Sequence, residues 1–244
     1  MIRLNPYAQL KRLFAEDAPD TAAGRRIDLM VARYALVVGL LLVAADAFQR
    51  WITPSRHVQL DIDGHYNIET WVHATILSLA AACALGIATT HLGRQRTAWI
   101  LAGVALAFFS LDKSVSLHEF AGRDLVNALG WNEDWGSFAW IILWSPLLLA
   151  STVALIACVR NSDAMTQRWV VLGLLLGSTK VVFDPAASIL IHAGITSEQG
   201  WLYGVEANIE ETFQLLAFSC FLAGFSQQFV TRIRNTASVR AATP

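Results

Sequence analysis

A chain of 244 residues that is 55% hydrophobic and only 15% charged, with a mean hydropathy of +0.46, has an odd balance for a soluble domain and an ordinary one for a polytopic membrane protein. A net charge of −1, with no basic patch and no glycine-rich phosphate loop, leaves no nucleic-acid or nucleotide partner in view, and three cysteines suit neither a disulfide framework nor a zinc knuckle. The class that remains is all-α: a polytopic membrane helix bundle whose first partner is the lipid bilayer.

Residues 1–28 form a cytoplasmic N-terminal segment, amphipathic or disordered. Tyr7, Leu10, Leu13 and Phe14, with Lys11 and Arg12 between them, have the spacing of a short surface helix. Residues 29–230 form the transmembrane domain, with apolar runs near 29–51, 69–92, 97–120, 138–159, 168–193 and 205–230. Each run is long enough to cross ~30 Å of hydrocarbon at ~1.5 Å per residue. The first is too long for the apolar region of a cleaved leader and is expected to stay. Residues 231–244 are expected to form a cytoplasmic C-terminal tail.

Six spans put both termini on one side, and the basic residues say which. With both ends cytoplasmic, 13 of the 18 Lys and Arg residues fall in inner segments, Arg50, Arg56 and Arg123 in outer loops, and Lys113 and Lys180 inside spans. Trp51, Trp71, Trp131, Trp135 and Trp201 would mark the outer surface, Trp99 and Trp169 the inner one. The expected location is a bacterial cytoplasmic (inner) membrane, multi-pass. His57, His65 and His91 read as solvated, and the segment 121–137, with Trp131, Glu133, Asp134 and Trp135, as an interfacial anchor.

Seven carboxylates fall within these runs: Asp46, Asp112, Glu119, Asp184, Glu206, Glu210 and Glu211. Six lie in the outer half, and only Lys113 and Lys180 oppose them, a surplus of five negative charges. A charge near the bilayer centre costs roughly 2.5–3.5 kcal/mol on insertion scales, so protons, a bound cation or water must offset it.

Helical spacing, ~100° per residue, decides which of these groups share a face. Asp112, Ser116 and Glu119 share one on the third span; His118 lies about 120° from Asp112 and joins it only if that helix end unwinds. On the fifth, Gly173, Gly177, Lys180, Asp184 and Ser188 form a stripe expected to face the bundle, with Lys180 and Asp184 as a structural ion pair. Pro185 frees the carbonyl of Val181. Glu206, Glu210 and Gln214 share a face of the sixth, extended by Glu211, and Glu69 and His73 are one turn apart on the second.

The expected result is a polar vestibule in the outer half, walled mainly by the third, fifth and sixth helices, with Asp46 and His73 as additions to it. Oxygens of Asp112, Glu119, Asp184, Glu210 and Glu211 would suit a divalent metal ion, and His73, His118 and His192 could add nitrogen for a transition metal, although no strong metal signature is present.

The segment Phe109-Ser-Leu-Asp-Lys-Ser-Val-Ser-Leu-His-Glu119, followed by Ile209-Glu-Glu211, resembles a pattern in uncharacterised bacterial six-helix integral membrane proteins. That resemblance implies the fold and brings no assigned activity. The Asp, Ser and His content is also similar to that of ceramidase and adiponectin-receptor type zinc hydrolases. Those have seven spans and a His-x-x-x-His pair on the last, which this chain lacks, so no residue is carried over.

Three functions stay open. One is an outward-facing acidic site that binds a cation or exchanges protons, in a transporter, channel-like module or sensor. Another is a structural or assembly subunit whose acids meet a membrane-protein partner or a second copy. The third is a metal-dependent intramembrane enzyme acting on a lipid or small apolar substrate.

Overall fold

Long stretches of Leu, Ala, Val and Ile offer the backbone few side-chain hydrogen-bond partners, so its N–H and C=O groups bond to each other along the chain. The computed structural model describes residues 24–52, 67–132, 135–197 and 200–242. The N-terminal surface helix, His57, His65, Glu133 and Asp134 lie outside the described residues.

Among the described residues eight helices follow in order: α1 (Gly24–Ile52), α2 (Ile68–Ala88), α3 (Gly93–Val115), α4 (Leu117–Leu129), α5 (Gly136–Val159), α6 (Ala164–Gly177), α7 (Lys180–His192) and α8 (Trp201–Ala242). There is no strand among the described residues.

Six stretches are long and apolar enough to cross a membrane: Leu29–Phe48, Ile68–Ala88, Gly93–Val115, Phe138–Val159, Ala164–His192 and Trp201–Ile233. The fifth joins α6 and α7, which part at Ser178 and Thr179. There the two hydroxyls donate to the carbonyls of Leu175 and Leu176 at 2.8 and 2.6 Å, and the last turn tightens.

Three boundaries differ from the sequence reading by five residues or more. The first helix begins at Gly24, because Arg25 and Arg26 are good helix formers and need no apolar face. The last runs on to Ala242 instead of giving way to a tail at 231, since residues 231–242 contain neither proline nor glycine. The third stops at Val115, five residues short of 120, because Ser116 takes a left-handed conformation (φ 55°) and α4 starts afresh.

The most deeply buried of the six is α8, which packs against α1, α2, α6 and α7. The neighbours α2 and α3 pack as a hairpin, α3 also meets α5, and α5 supports α4 and α7. Side chains are sorted along the bundle axis. The half near the α2–α3 turn holds the apolar core, including Leu77, Ile87, Trp99, Leu106, Val170 and Phe225. At the other end, where α2 and α8 begin and α3 finishes, buried ionisable side chains gather, among them Glu69, His73, Asp112 and Glu210.

Candidate functional site

At the start of α2, Asn67 accepts the Thr70 N–H at 2.7 Å and fixes the first turn, which carries Glu69 and His73 on one face. Glu69 Oε1 is in contact with His73 Nδ1. Glu211 of α8 approaches the same ring, with Oε2 at 3.5 Å from Nδ1. Lys113 of α3 closes this group, donating to the two Glu211 oxygens at 2.9 and 2.7 Å, with Glu69 Oε1 at 3.9 Å. The Phe218 ring packs edge-on against His73 at 5.3 Å and holds its plane.

A second group is built from α7 and α8. Lys180 donates to Glu210 at 2.5 Å and to Asp184 at 3.4 Å, and Asp184 also accepts the indole N–H of Trp140 at 2.7 Å. The ion pair expected between Lys180 and Asp184 is therefore present, but the shorter contact of the lysine is Glu210. Gln214, one turn below Glu210, joins the two groups. Its amide donates to Glu210 at 2.8 Å, and its oxygen lies 3.5 Å from Lys113 Nζ.

The third group depends on the break at Ser116. Asp112 sits in the last turn of α3, and its carboxylate takes two donors from the next helix: the backbone N–H of His118 at 2.9 Å and His118 Nδ1 at 2.8 Å. This fixes the tautomer, with hydrogen on Nδ1 and Nε2 turned toward Glu119, whose Oε1 is 3.8 Å away. The condition for His118 to join Asp112, unwinding of that helix end, is met. Trp140 packs against His118 at 5.0 Å and donates to Asp184, so it ties this group to the second.

Asp112, His118, Asp184, Glu210, Glu211 and His73 are thus brought into one connected set, with Glu119 at its rim. His192 is not in it: that residue is exposed and lies 5.3 Å from the Trp135 ring, at the far end of α7. Asp46 is buried apart from the set and accepts Asn208 Nδ2 at 2.8 Å. The side chains of these acids close on Lys113, Lys180, His73 and His118.

Sequence reasoning left out two members. Glu69 was visible one turn from His73 but was not counted among the acids, since it stood at the edge of its apolar run. Trp140 gave no signal, because an indole in an apolar helix reads as core or interface.

The charge balance decides what such a set can do. Five carboxylates, the buried Glu69, Asp112, Asp184 and Glu210 and the half-buried Glu211, meet the ammonium groups of Lys113 and Lys180, a surplus of three negatives. Protonating both His73 and His118 still leaves one. Removing a charge from water is costly unless it is paired, so the set favours additional positive charge.

The fold and this site together define an α-helical bundle, apolar at one end and ionic at the other. Residues 31–229 match the model of a family described as a domain of unknown function, DUF8692, and the chain belongs to that family. No curated protein and no solved structure matches the chain.

Proposed function

We propose that the protein is a multi-pass protein of a bacterial inner membrane, with six spans and both termini cytoplasmic, whose ionic end faces outward and binds or exchanges a cation in a small transporter or sensor. The observation that carries this reading is the surplus of negative charge inside a continuous buried network. Such a network is stabilised by whatever positive charge it takes up, and ionisable groups inside spans commonly mark ion or proton pathways. The orientation is supported by the 13 basic residues on the cytoplasmic side in this topology.

The test is thermal unfolding of the purified protein in mild detergent, with cation supplied as protons or as a divalent salt. Wild type is expected to gain stability with added cation, while Asp112→Asn and Glu210→Gln fold but lose that gain. Undiminished stabilisation in both variants would remove these residues from the site and with them the proposal.

A further inference from the structure

We infer that Glu69, His73 and Glu211 are the ligands of a divalent first-row transition metal, and that Lys113 is the cation holding the site when the metal is absent. This rests on the cation-binding reading above and names its ligand.

The three ligand atoms lie within 4.8 Å of one another. Ligands of one tetrahedral ion stand about 3.4 Å apart, so modest rotations of two glutamate side chains complete the set. Glu69 and His73, four residues apart on α2, present their groups on one face, and α8 supplies the third from across the interface. This is more than a cluster of acids. His73 is 0% exposed, yet neither ring nitrogen has a hydrogen bond, and Glu69 Oε1 is in the same position. Nδ1 is in contact with Glu69 Oε1 and lies 3.5 Å from Glu211 Oε2, so the imidazole already sits against both of its carboxylate co-ligands.

The donor set selects the metal class. One imidazole and two carboxylates exclude the soft ions that prefer thiolate, and the nitrogen disfavours calcium and magnesium against zinc, manganese, iron(II) or cobalt(II). Three protein ligands leave a fourth direction open. Lys113 stands beside the set, hydrogen-bonded to Glu211 Oε2 at 2.7 Å and 3.9 Å from Glu69 Oε1, a positive charge drawn to the same carboxylates a metal would take. On metal binding its ammonium can turn to Gln214, already within 3.5 Å.

The test is titration of the chelator-treated full chain in detergent with cobalt(II), followed by its visible absorption. One equivalent is expected to bind. Glu211→Gln should weaken binding by about tenfold or more, while Lys113→Met, by removing the competitor, should tighten it by about tenfold. Absence of bound cobalt, or a Lys113→Met protein that binds no tighter than wild type, overturns the inference, and the lysine variant decides if Glu211→Gln does not fold. Cobalt failing to bind while protons still stabilise wild type but not Asp112→Asn sinks the metal site alone. Cobalt binding as expected, with stabilisation indifferent to Asp112→Asn and Glu210→Gln, sinks the wider reading and leaves the metal site standing.

Discussion

Asp112 has two tasks at once: it contributes a buried negative charge, and it caps the helix that follows. Both donors it accepts come from His118, so Asp112→Ala would leave a backbone N–H and an imidazole N–H without their acceptor. An unmade buried hydrogen bond costs about 1–3 kcal/mol, and a fall in unfolding temperature of matching size, measured in detergent, is the expected outcome. The sequence showed this acid as deep and locally unpaired but put His118 on the wrong face, because a continuous helix was assumed. A signal against continuity was present. Ser116-Leu-His-Glu119 is the pattern of a capping box, which marks a helix start, although here the capping bond comes from Asp112 rather than Ser116. At the opposite end, in the α2–α3 turn, His91 stacks on Trp99 at 6.4 Å. Burial first, then the charge of Arg232, holds its imidazole below the usual histidine range. The unfolded chain therefore takes up the proton more readily than the folded one. This contribution to stability is complete above the unfolded value of ~6.5 and is lost as pH falls toward the folded one. Arg232→Gln should move the His91 titration upward in an NMR pH series; no movement would remove Arg232 as a cause.

Between elements, the close crossing of α6 and α8 decides whether the ionic groups on α7 and α8 meet in register. The stripe of small residues expected to face the bundle does so: a Cβ on Gly173 would come within 2.9 Å of the Ala217 carbonyl and 2.7 Å of the Phe221 ring, and one on Gly177 would touch Ala217 at 3.7 Å. A phenylalanine can turn aside, but a helical carbonyl cannot. Gly173→Ala is expected to cost about 1–3 kcal/mol by forcing the helices apart, whereas Gly177→Ala should be tolerated; equal unfolding temperatures for the two would argue against the close crossing. The spans were legible at this scale because length and hydropathy are properties of single segments. The break at Ser178–Thr179 was not, because the run stays largely apolar beyond it and only hydroxyl-to-carbonyl bonds mark the change, while the break at Ser116 showed only in its capping-box pattern. Which helices touch depends on side-chain fit between segments distant in sequence, and no periodicity within one segment encodes it. That is why α2 was treated as an accessory and proves to supply half of the Glu69, His73, Glu211 and Lys113 group.

For the whole molecule, the separation into an apolar and an ionic end makes orientation a test of the proposed function, since a membrane-spanning form would exchange ions at its ionic end only with the compartment that end faces. The α2–α3 turn lies at the apolar end, and α4 follows directly on α3 at the ionic one. Thr90 and Asn127 are exposed at these two places, and the native cysteines Cys83, Cys158 and Cys220 are buried or half-buried, so a cysteine-free background should keep its packing. In intact cells stripped of their outer envelope, a membrane-impermeant maleimide should label Asn127→Cys at once and Thr90→Cys only after permeabilisation. The converse pattern would turn the network toward the cytoplasm. An outward site draws its ion from the surroundings, whereas the converse orientation would make it draw from the cytoplasm and would place the 13 basic residues assigned to the inner side outside, against the positive-inside rule. The labelling order thus tests more than topology, because uptake from outside by this network requires the first pattern.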